Sequence, residues 1–185
     1  LAALLDDPRA YVRRSVANHI NYNAKDPPDR VADWVARHRP GASPAREALL
    51  RHASRSLVKQ GHAPTLAAWG LTPGFDGEAQ LHLDRAALPI GAALTLTATL
   101  RARRPTRAVV DLVVHHRRAN GGTSPKVFKG WALDLPANEA VQRVRVHPLR
   151  EVSTRRLYPG EHRVALQVNG AVVAEAAFVL HAADS

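Results

Sequence analysis

The chain has no cysteine and no methionine among its 185 residues. Without cysteine it can form no disulfide, no zinc–thiolate site and no thiol nucleophile. No apolar run reaches membrane-spanning length, and no signal peptide opens the sequence. We therefore expect a cytoplasmic protein without membrane attachment. The missing methionine, and an opening segment at 1–5 that reads like the end of a helix, predict the C-terminal part of a longer protein.

Acidic residues are scarce relative to basic ones, with 16 Asp and Glu against 26 Lys and Arg, which gives a net charge of +10. The excess is shared, since residues 1–74 carry 11 basic and 6 acidic side chains and residues 75–185 carry 15 and 10. Such a balance points first to nucleic acid, then to an anionic membrane surface, and only then to small acidic ligands.

The first amphipathic helix is predicted at 11–25, with Asp7 as its cap, Pro8 in its first position, and a stop at 26–28. Its apolar arc consists of Val12, Val16, Ile20 and Ala24, and its polar arc of Tyr11, Arg14, Asn18, Asn21, Tyr22 and Lys25. The polar arc has no carboxylate and many hydrogen-bond donors, which suits phosphates. The alternative is an ordinary solvated face.

Further helices are predicted at 28–39, at 44–59 with Ser43 as the cap, and at 64–71 with Trp69 packed inward. The third helix repeats the first with a shift of 37 residues, so that Arg14, Asn18 and Tyr22 correspond to Arg51, Arg55 and Lys59. Helix pairs repeating at this period are typical of an α-solenoid of the HEAT kind. Stacking would place these side chains, with Asn21 and Lys25, on one concave basic surface.

From residue 72 the apolar pattern changes from a period of 3.6 to a period of 2. About seven strands are predicted near 80–83, 94–101, 108–116, 126–135, 140–147, 162–168 and 171–180, with a two-residue hairpin turn at Asn169-Gly170. The expected fold is thus helical repeats at 1–73, followed by an immunoglobulin-like antiparallel β-sandwich at 76–185.

Basic residues of the β part gather in two predicted loops, one around 115–129 and the other around 150–156. Phosphate binding is the functional interpretation, and exposed polar strand ends are the alternative. The candidates are Arg117, Lys126, Lys129, Arg155 and Arg156. No metal site is expected, because His115 and His116 point to opposite faces of a strand. There is also no glycine-rich phosphate loop and no nucleophile elbow.

Several segments together resemble one known family. They are 15–21 (SVANHIN), 51–53 (RHA), 57–62 (LVKQGH), 110–116 (VDLVVHH), 125–129 (PKVFK) and 154–160 (TRRLYPG). These segments resemble the last repeats and the immunoglobulin-like domain of the AlkC-type HEAT-like DNA alkylation repair glycosylases. The resemblance implies a monomer that removes N3-alkylated bases from duplex DNA without metal or cofactor, with repeats and β domain clamping the duplex.

The resemblance also assigns roles to side chains. Asn18, Asn21 and Tyr22 are the lesion-side candidates, and Arg14, Lys25, Arg51, Arg55 and Lys59 join the basic β residues as phosphate contacts. The family pattern has an aspartate where this sequence has Tyr22, so the catalytic carboxylates are expected upstream and stay unknown. Two alternatives remain, a non-catalytic DNA-binding module and a protein-interaction solenoid with an acidic partner.

Overall fold

The computed structural model describes residues 2–23, 27–152 and 156–182. The chain divides into two compact units, Leu1–Pro73 and Gly74–Ser185. The first unit contains helices and the second contains strands. Within the described residues, no helix is long and apolar enough to span a membrane.

The helical unit opens with a short 3-10 turn at Ala2–Leu4. Four α-helices follow: α1 (Ala10–Asn23), α2 (Pro28–His38), α3 (Pro44–Lys59) and α4 (Ala63–Ala68). Helix α1 begins at Ala10, two residues after Pro8, so the prediction that Pro8 takes the first helical position is wrong. The Asp7 carboxylate accepts a hydrogen bond from the backbone nitrogen of Arg9 at 2.9 Å. Arg9 precedes the helix, so Asp7 bonds to a backbone group outside α1. Residues 24–26 lie outside the described part, and the placement of Lys25 stays a prediction.

Local signals in the sequence set both ends of α3. Ser43 accepts from the backbone nitrogen of Arg46 at 3.2 Å, and Pro44 takes the first helical position, which confirms the predicted cap. After the helix, Gly61 has a φ of 72°. The His62 nitrogen reaches back to the Leu57 carbonyl at 2.9 Å, which satisfies a carbonyl that the helix end leaves open.

The helical core is built from the apolar arcs of α1, α2 and α3, closed by the side chain that follows α4. Val16, Ile20, Val35, Leu50 and Trp69 are buried in one cluster. Asn18 and Asn21 of α1 contact α3 in chain order, at residue 52 and then at residue 56. Helices α1 and α3 therefore lie side by side and run in the same direction.

In its described residues, the β unit contains eight strands in two sheets. They are β1 (Gly77–Leu83), β2 (Ala87–Pro89), β3 (Ala93–Ala102), β4 (Thr106–Arg117), β5 (Thr123–Leu135), β6 (Ala140–Pro148), β7 (Gly160–Val168) and β8 (Ala171–His181). One sheet has the order β1-β3-β6 and the other the order β2-β8-β7-β4-β5. Leu96 and Leu100 of β3 share a buried core with Leu112 of β4 and Phe178 of β8. The predicted two-sheet sandwich is confirmed.

Among the strands of the described residues, β2 is the one that the sequence did not predict. It has three residues and pairs in parallel with β8, so it is too short to show an alternating pattern. The hairpin turn between β7 and β8 was predicted correctly. Asn169 and Gly170 have φ values of 49° and 82°, as a two-residue turn with two left-handed positions requires.

Candidate nucleic-acid interface

Four polar side chains meet where α1 and α3 lie together. We call Arg14, Asn18, His52 and Arg55 the α1–α3 basic cluster. Asn18 is its hub, because Asn18 Oδ1 lies 2.8 Å from His52 Nε2 and accepts from Arg55 Nη2 at 3.4 Å. Arg55 is held further by a bond from Nη1 to the His52 carbonyl at 2.6 Å. The amide of Asn18 thus orients two basic side chains from the neighbouring helix.

Burial and neighbouring positive charge both act on the imidazole of His52. Its pKa is lowered from 6.5 by partial burial and then by the charges of Arg55 and Arg14. His52 is therefore neutral at physiological pH although hydrogen-bonded. His52, Arg13 and Arg14 together line a cavity of about 240 Å³, and its other walls are formed by Ala10, Ala17, Ala45, Ala48 and Leu49. Such a cavity combines small apolar walls with a cationic rim.

The structure gives different surroundings to the two remaining lesion-side candidates. Asn21 is half-buried, and its Oδ1 accepts from the backbone nitrogen of Ser56 at 3.2 Å. Tyr22 is 73% exposed at the end of α1. Asn21 therefore ties α1 to α3, which is a structural role that the sequence did not predict.

Arg51 is engaged inside the helical unit. Its Nη2 lies 2.7 Å from Glu47 Oε1, and its guanidinium carbon lies 4.6 Å from the centre of the Trp69 ring. Arg39 stacks on the same ring at 4.9 Å, and the indole nitrogen donates to Ser54 Oγ at 2.9 Å. Arg51 thus belongs to a cation–aromatic assembly around Trp69, and its use as a phosphate contact competes with these partners.

Three other predicted phosphate contacts of the helical unit keep their charge open to a ligand. Arg14 is exposed, whereas Arg55 and Lys59 are half-buried. Among the residues that the structure describes, none of these three forms an ion pair with a carboxylate. They are accordingly the better phosphate candidates on α1 and α3.

The sequence analysis missed His52 as a site residue. The signal was available in helical spacing, since His52, Arg55 and Lys59 recur at i, i+3 and i+7 and so share one stripe of α3. What the spacing could not show is that this stripe faces Asn18, which lies 34 residues earlier.

The basic residues predicted to share a loop at 115–129 do not lie in one loop. Lys126 and Lys129 lie on strand β5, paired with Val114 and Asp111 of β4. Because side chains alternate along a strand, two residues three positions apart point to opposite faces. Both are exposed, but one phosphate cannot contact them together from one face.

The end of β4 and the start of β7 meet around a buried histidine. His162 has no exposed surface, accepts from the backbone nitrogen of Arg117 at 3.3 Å, and has Nε2 at 2.9 Å from the Tyr158 carbonyl. Burial lowers the pKa of His162, partly offset by the bond to Tyr158, and the charge of Arg117 lowers it further. The side chain of Arg117 lies over Gly160, where an added Cβ would approach its Cδ to 2.8 Å.

The second predicted basic loop is only partly described. Arg156 is exposed and lies 3.9 Å from Glu151, a distance typical of a weak surface ion pair. Arg155 lies outside the described residues. In the described ranges, no group of three or more His, Cys, Asp or Glu side chains is arranged to hold a metal ion.

Comparisons with known proteins cover both units. The family model described as "Uncharacterised protein YhaZ, C-terminal Ig-like domain" matches residues 78–182. The uncharacterized protein YhaZ of Bacillus subtilis (strain 168) is 30% identical over 180 residues, covering 93% of this chain and 48% of that protein. The chain thus spans about half the length of this relative.

One solved structure is similar along almost the whole chain. It is the Pseudomonas fluorescens alkylpurine DNA glycosylase AlkC bound to DNA containing an abasic site analog, with a TM-score of 0.85 and 33% identity. The similarity covers 98% of this chain and 51% of that one. Because the family model covers residues 78–182, more than half of this chain, the chain belongs to the family described by the C-terminal Ig-like domain of YhaZ.

Proposed function

We propose that this chain binds DNA as part of the repair of alkylated bases. The observation that carries the proposal is the similarity to a DNA-bound alkylpurine glycosylase, at 33% identity over 98% of the chain. At that identity and coverage, the similarity includes both the helical and the β unit. The charge of +10 supports the same partner.

The α1–α3 basic cluster supplies a physical reason for binding DNA. It carries two arginines, an amide and a histidine, and it contains no carboxylate. Guanidinium groups are suited to phosphate oxygens, because each offers several donors in a fixed plane, and the amide of Asn18 holds the one of Arg55. In this proposal the duplex is held by phosphate contacts rather than by base recognition.

Our more specific proposal is that the chain forms the C-terminal part of a glycosylase acting on N3-alkylated bases. Its helices would be the last pairs of a HEAT-like solenoid, and both units would contact the duplex. The equal direction of α1 and α3 supports the solenoid, since stacked repeats place equivalent helices side by side. In the β unit the proposed contacts are Arg117, Lys126, Lys129 and Arg156.

We further propose that this chain contributes DNA binding and not the catalytic group for base excision. An N3-alkylated base leaves readily, but the charge that develops on the sugar needs a nearby carboxylate. Four carboxylates of the helical unit already pair with basic side chains: Asp6 with Arg46, Asp7 with Arg9, Asp29 with His62, and Glu47 with Arg51. The same observation favours the second candidate function, a non-catalytic DNA-binding module.

The test uses the 185-residue chain and a fluorescent DNA duplex. We expect binding whose logarithmic affinity falls linearly with the logarithm of salt concentration. We also expect no release of N3-methyladenine above the spontaneous rate. Failure to bind duplex DNA, or tighter binding to an acidic protein than to DNA, contradicts the first proposal. Base release that disappears in Asn18→Ala contradicts the proposal that this chain contributes no chemistry.

A further inference from the structure

We propose that one backbone phosphate of bound DNA sits in the α1–α3 basic cluster and that His52 takes up a proton when it binds. The affinity of this chain for DNA would then depend on pH. The inference rests on the proposed DNA-binding function, and it adds a phosphate contact at the α1–α3 basic cluster and a proton on His52.

The hydrogen bonds define which nitrogen of His52 can take the proton. Arg55 Nη2 donates to the same Asn18 atom that His52 Nε2 approaches at 2.8 Å, so this atom is the amide oxygen and Nε2 carries a hydrogen. Nδ1 is then the basic nitrogen of the neutral ring. Protonation at Nδ1 leaves the bond to Asn18 in place, so the cluster can gain a charge without rearranging.

In the part of the chain that the structure describes, the charged side chains that act on His52 or share its cavity are arginines. From α1, Arg13 and Arg14 line the cavity beside it, and from α3 itself comes Arg55. Arg13 is held at its own helix start, since its Nη1 donates to the carbonyls of Asp7 and Pro8 at 2.5 and 3.0 Å. The remaining wall of the cavity is apolar, and α2 contributes no side chain to it.

This arrangement makes a bound anion and a proton on His52 mutually favourable. The arginines disfavour a third positive charge while the cluster is empty. A phosphate between Arg14 and Arg55 offsets their charge and offers an acceptor to the imidazole. By linkage, a ligand that raises the pKa of His52 must itself bind more tightly when the pH is lowered.

The expected effect is large enough to measure. Full uptake of one proton would change the dissociation constant about ten-fold per pH unit, and we expect roughly a five-fold tightening between about pH 7.5 and pH 5.5. The added charge should also steepen the salt dependence at the lower pH, by up to about 0.9 in the logarithmic slope.

The decisive variant is His52→Gln, which can still donate to Asn18 but cannot be protonated. Fluorescence anisotropy with one duplex, at both pH values and over a salt series, should show a pH effect in the unmodified chain and almost none in the variant. His19→Gln is the matched control, because His19 is an exposed histidine of α1 that bonds to Asn23 and does not line the cavity. It should keep the full pH effect.

A second measurement needs no variant. The pKa of His52, followed by NMR of its ring, should rise when duplex DNA is added to the unmodified chain. DNA binding with no pH effect and an unchanged His52 pKa would overturn this inference and leave the proposed function standing. No binding to duplex DNA at either pH would overturn the proposed function itself, and the inference with it.

Discussion

Asn21 of α1 accepts a hydrogen bond from the backbone nitrogen of Ser56 in the last turn of α3, with 3.2 Å between the two atoms. The sequence predicted this asparagine to face a damaged base. In the structure its oxygen joins two helices that run side by side. A side-chain acceptor on one helix for a backbone group of the other fixes how far the two helices can slide along each other.

We therefore predict that Asn21→Ala lowers the free energy of unfolding of the helical unit by about 1–2 kcal/mol, because the hydrogen bond is removed from a half-buried place. Asn21→Asp keeps an acceptor and should lose less. Urea unfolding followed by helical circular dichroism measures both. Asn23→Ala is the control, since Asn23 bonds only to its own helix at His19 and should change stability little. An Asn21→Ala chain of normal stability that no longer binds DNA would show a direct contact instead.

Three basic residues of α1 and α3 should carry much of the salt dependence of DNA binding. Changing Arg14, Arg55 and Lys59 together to glutamine should lower the logarithmic salt slope by about 2.7, because each phosphate that is no longer neutralised removes about 0.9 from the slope. The decrease in affinity should be similar for duplexes of different sequence, because these side chains are proposed to bind phosphates. Anisotropy over a salt series tests this, and an unchanged slope would remove this face from the DNA-binding surface.

Arg51→Gln should lower stability and leave the salt dependence of DNA binding unchanged. Its guanidinium pairs with Glu47 and stacks on Trp69, so the variant should lose about 0.5–1 kcal/mol of unfolding free energy. Its salt slope should remain that of the unmodified chain. Urea unfolding and the same anisotropy series check the two parts. A slope that falls as in the triple variant would mean that Arg51 leaves Trp69 for a phosphate.

The β unit should lose stability in mild acid. Burial lowers the pKa of His162 in the folded state, whereas the unfolded histidine keeps an ordinary value of about 6.5. The unfolded chain therefore binds the proton more readily, so the contribution of His162 to stability is complete above about pH 6.5 and decreases as the pH falls below it. Amide resonances of β7 and β8, followed in urea at several pH values, measure this loss.

His162→Phe should weaken this pH dependence, because phenylalanine stays neutral beside the stacked Phe178 ring, which lies 5.4 Å away. It should also be less stable near neutral pH, since the Arg117 nitrogen and the Tyr158 carbonyl lose their partner. His82→Gln, at an exposed position of β1, should keep the full acid response. An acid response of full size in His162→Phe would assign it to other groups.

Limited proteolysis should cut the chain between about residues 72 and 77, where helices give way to strands and glycine and proline cluster. Gly74 has a φ of 77° and open space around it, as expected of an accessible turn. Mass spectrometry of the early products locates the cut. Rapid cleavage inside β4, with the 72–77 segment intact, would argue against two separately folded domains.

The amino-acid sequence by itself determined the features that depend on close neighbours. Ser43 and Pro44 start α3, Gly61 ends it, and Asn169-Gly170 turns β7 into β8, each through groups within a few residues of one another. Apolar periodicity likewise predicted which faces of α1 and β3 are buried. The excess of basic residues also pointed to a nucleic-acid partner, because net charge is a sum over the chain and needs no geometry.

Only the tertiary structure decided which polar side chains act together. Asn18 meets His52 and Arg55, Asn21 meets Ser56, and Arg51 stacks on Trp69, all through the packing of helices that are distant in sequence. The alternation of side chains along β5 separates Lys126 from Lys129. The physical reason is that a charged side chain has many possible partners within reach of its rotamers, and the packing of the backbone elements selects among them.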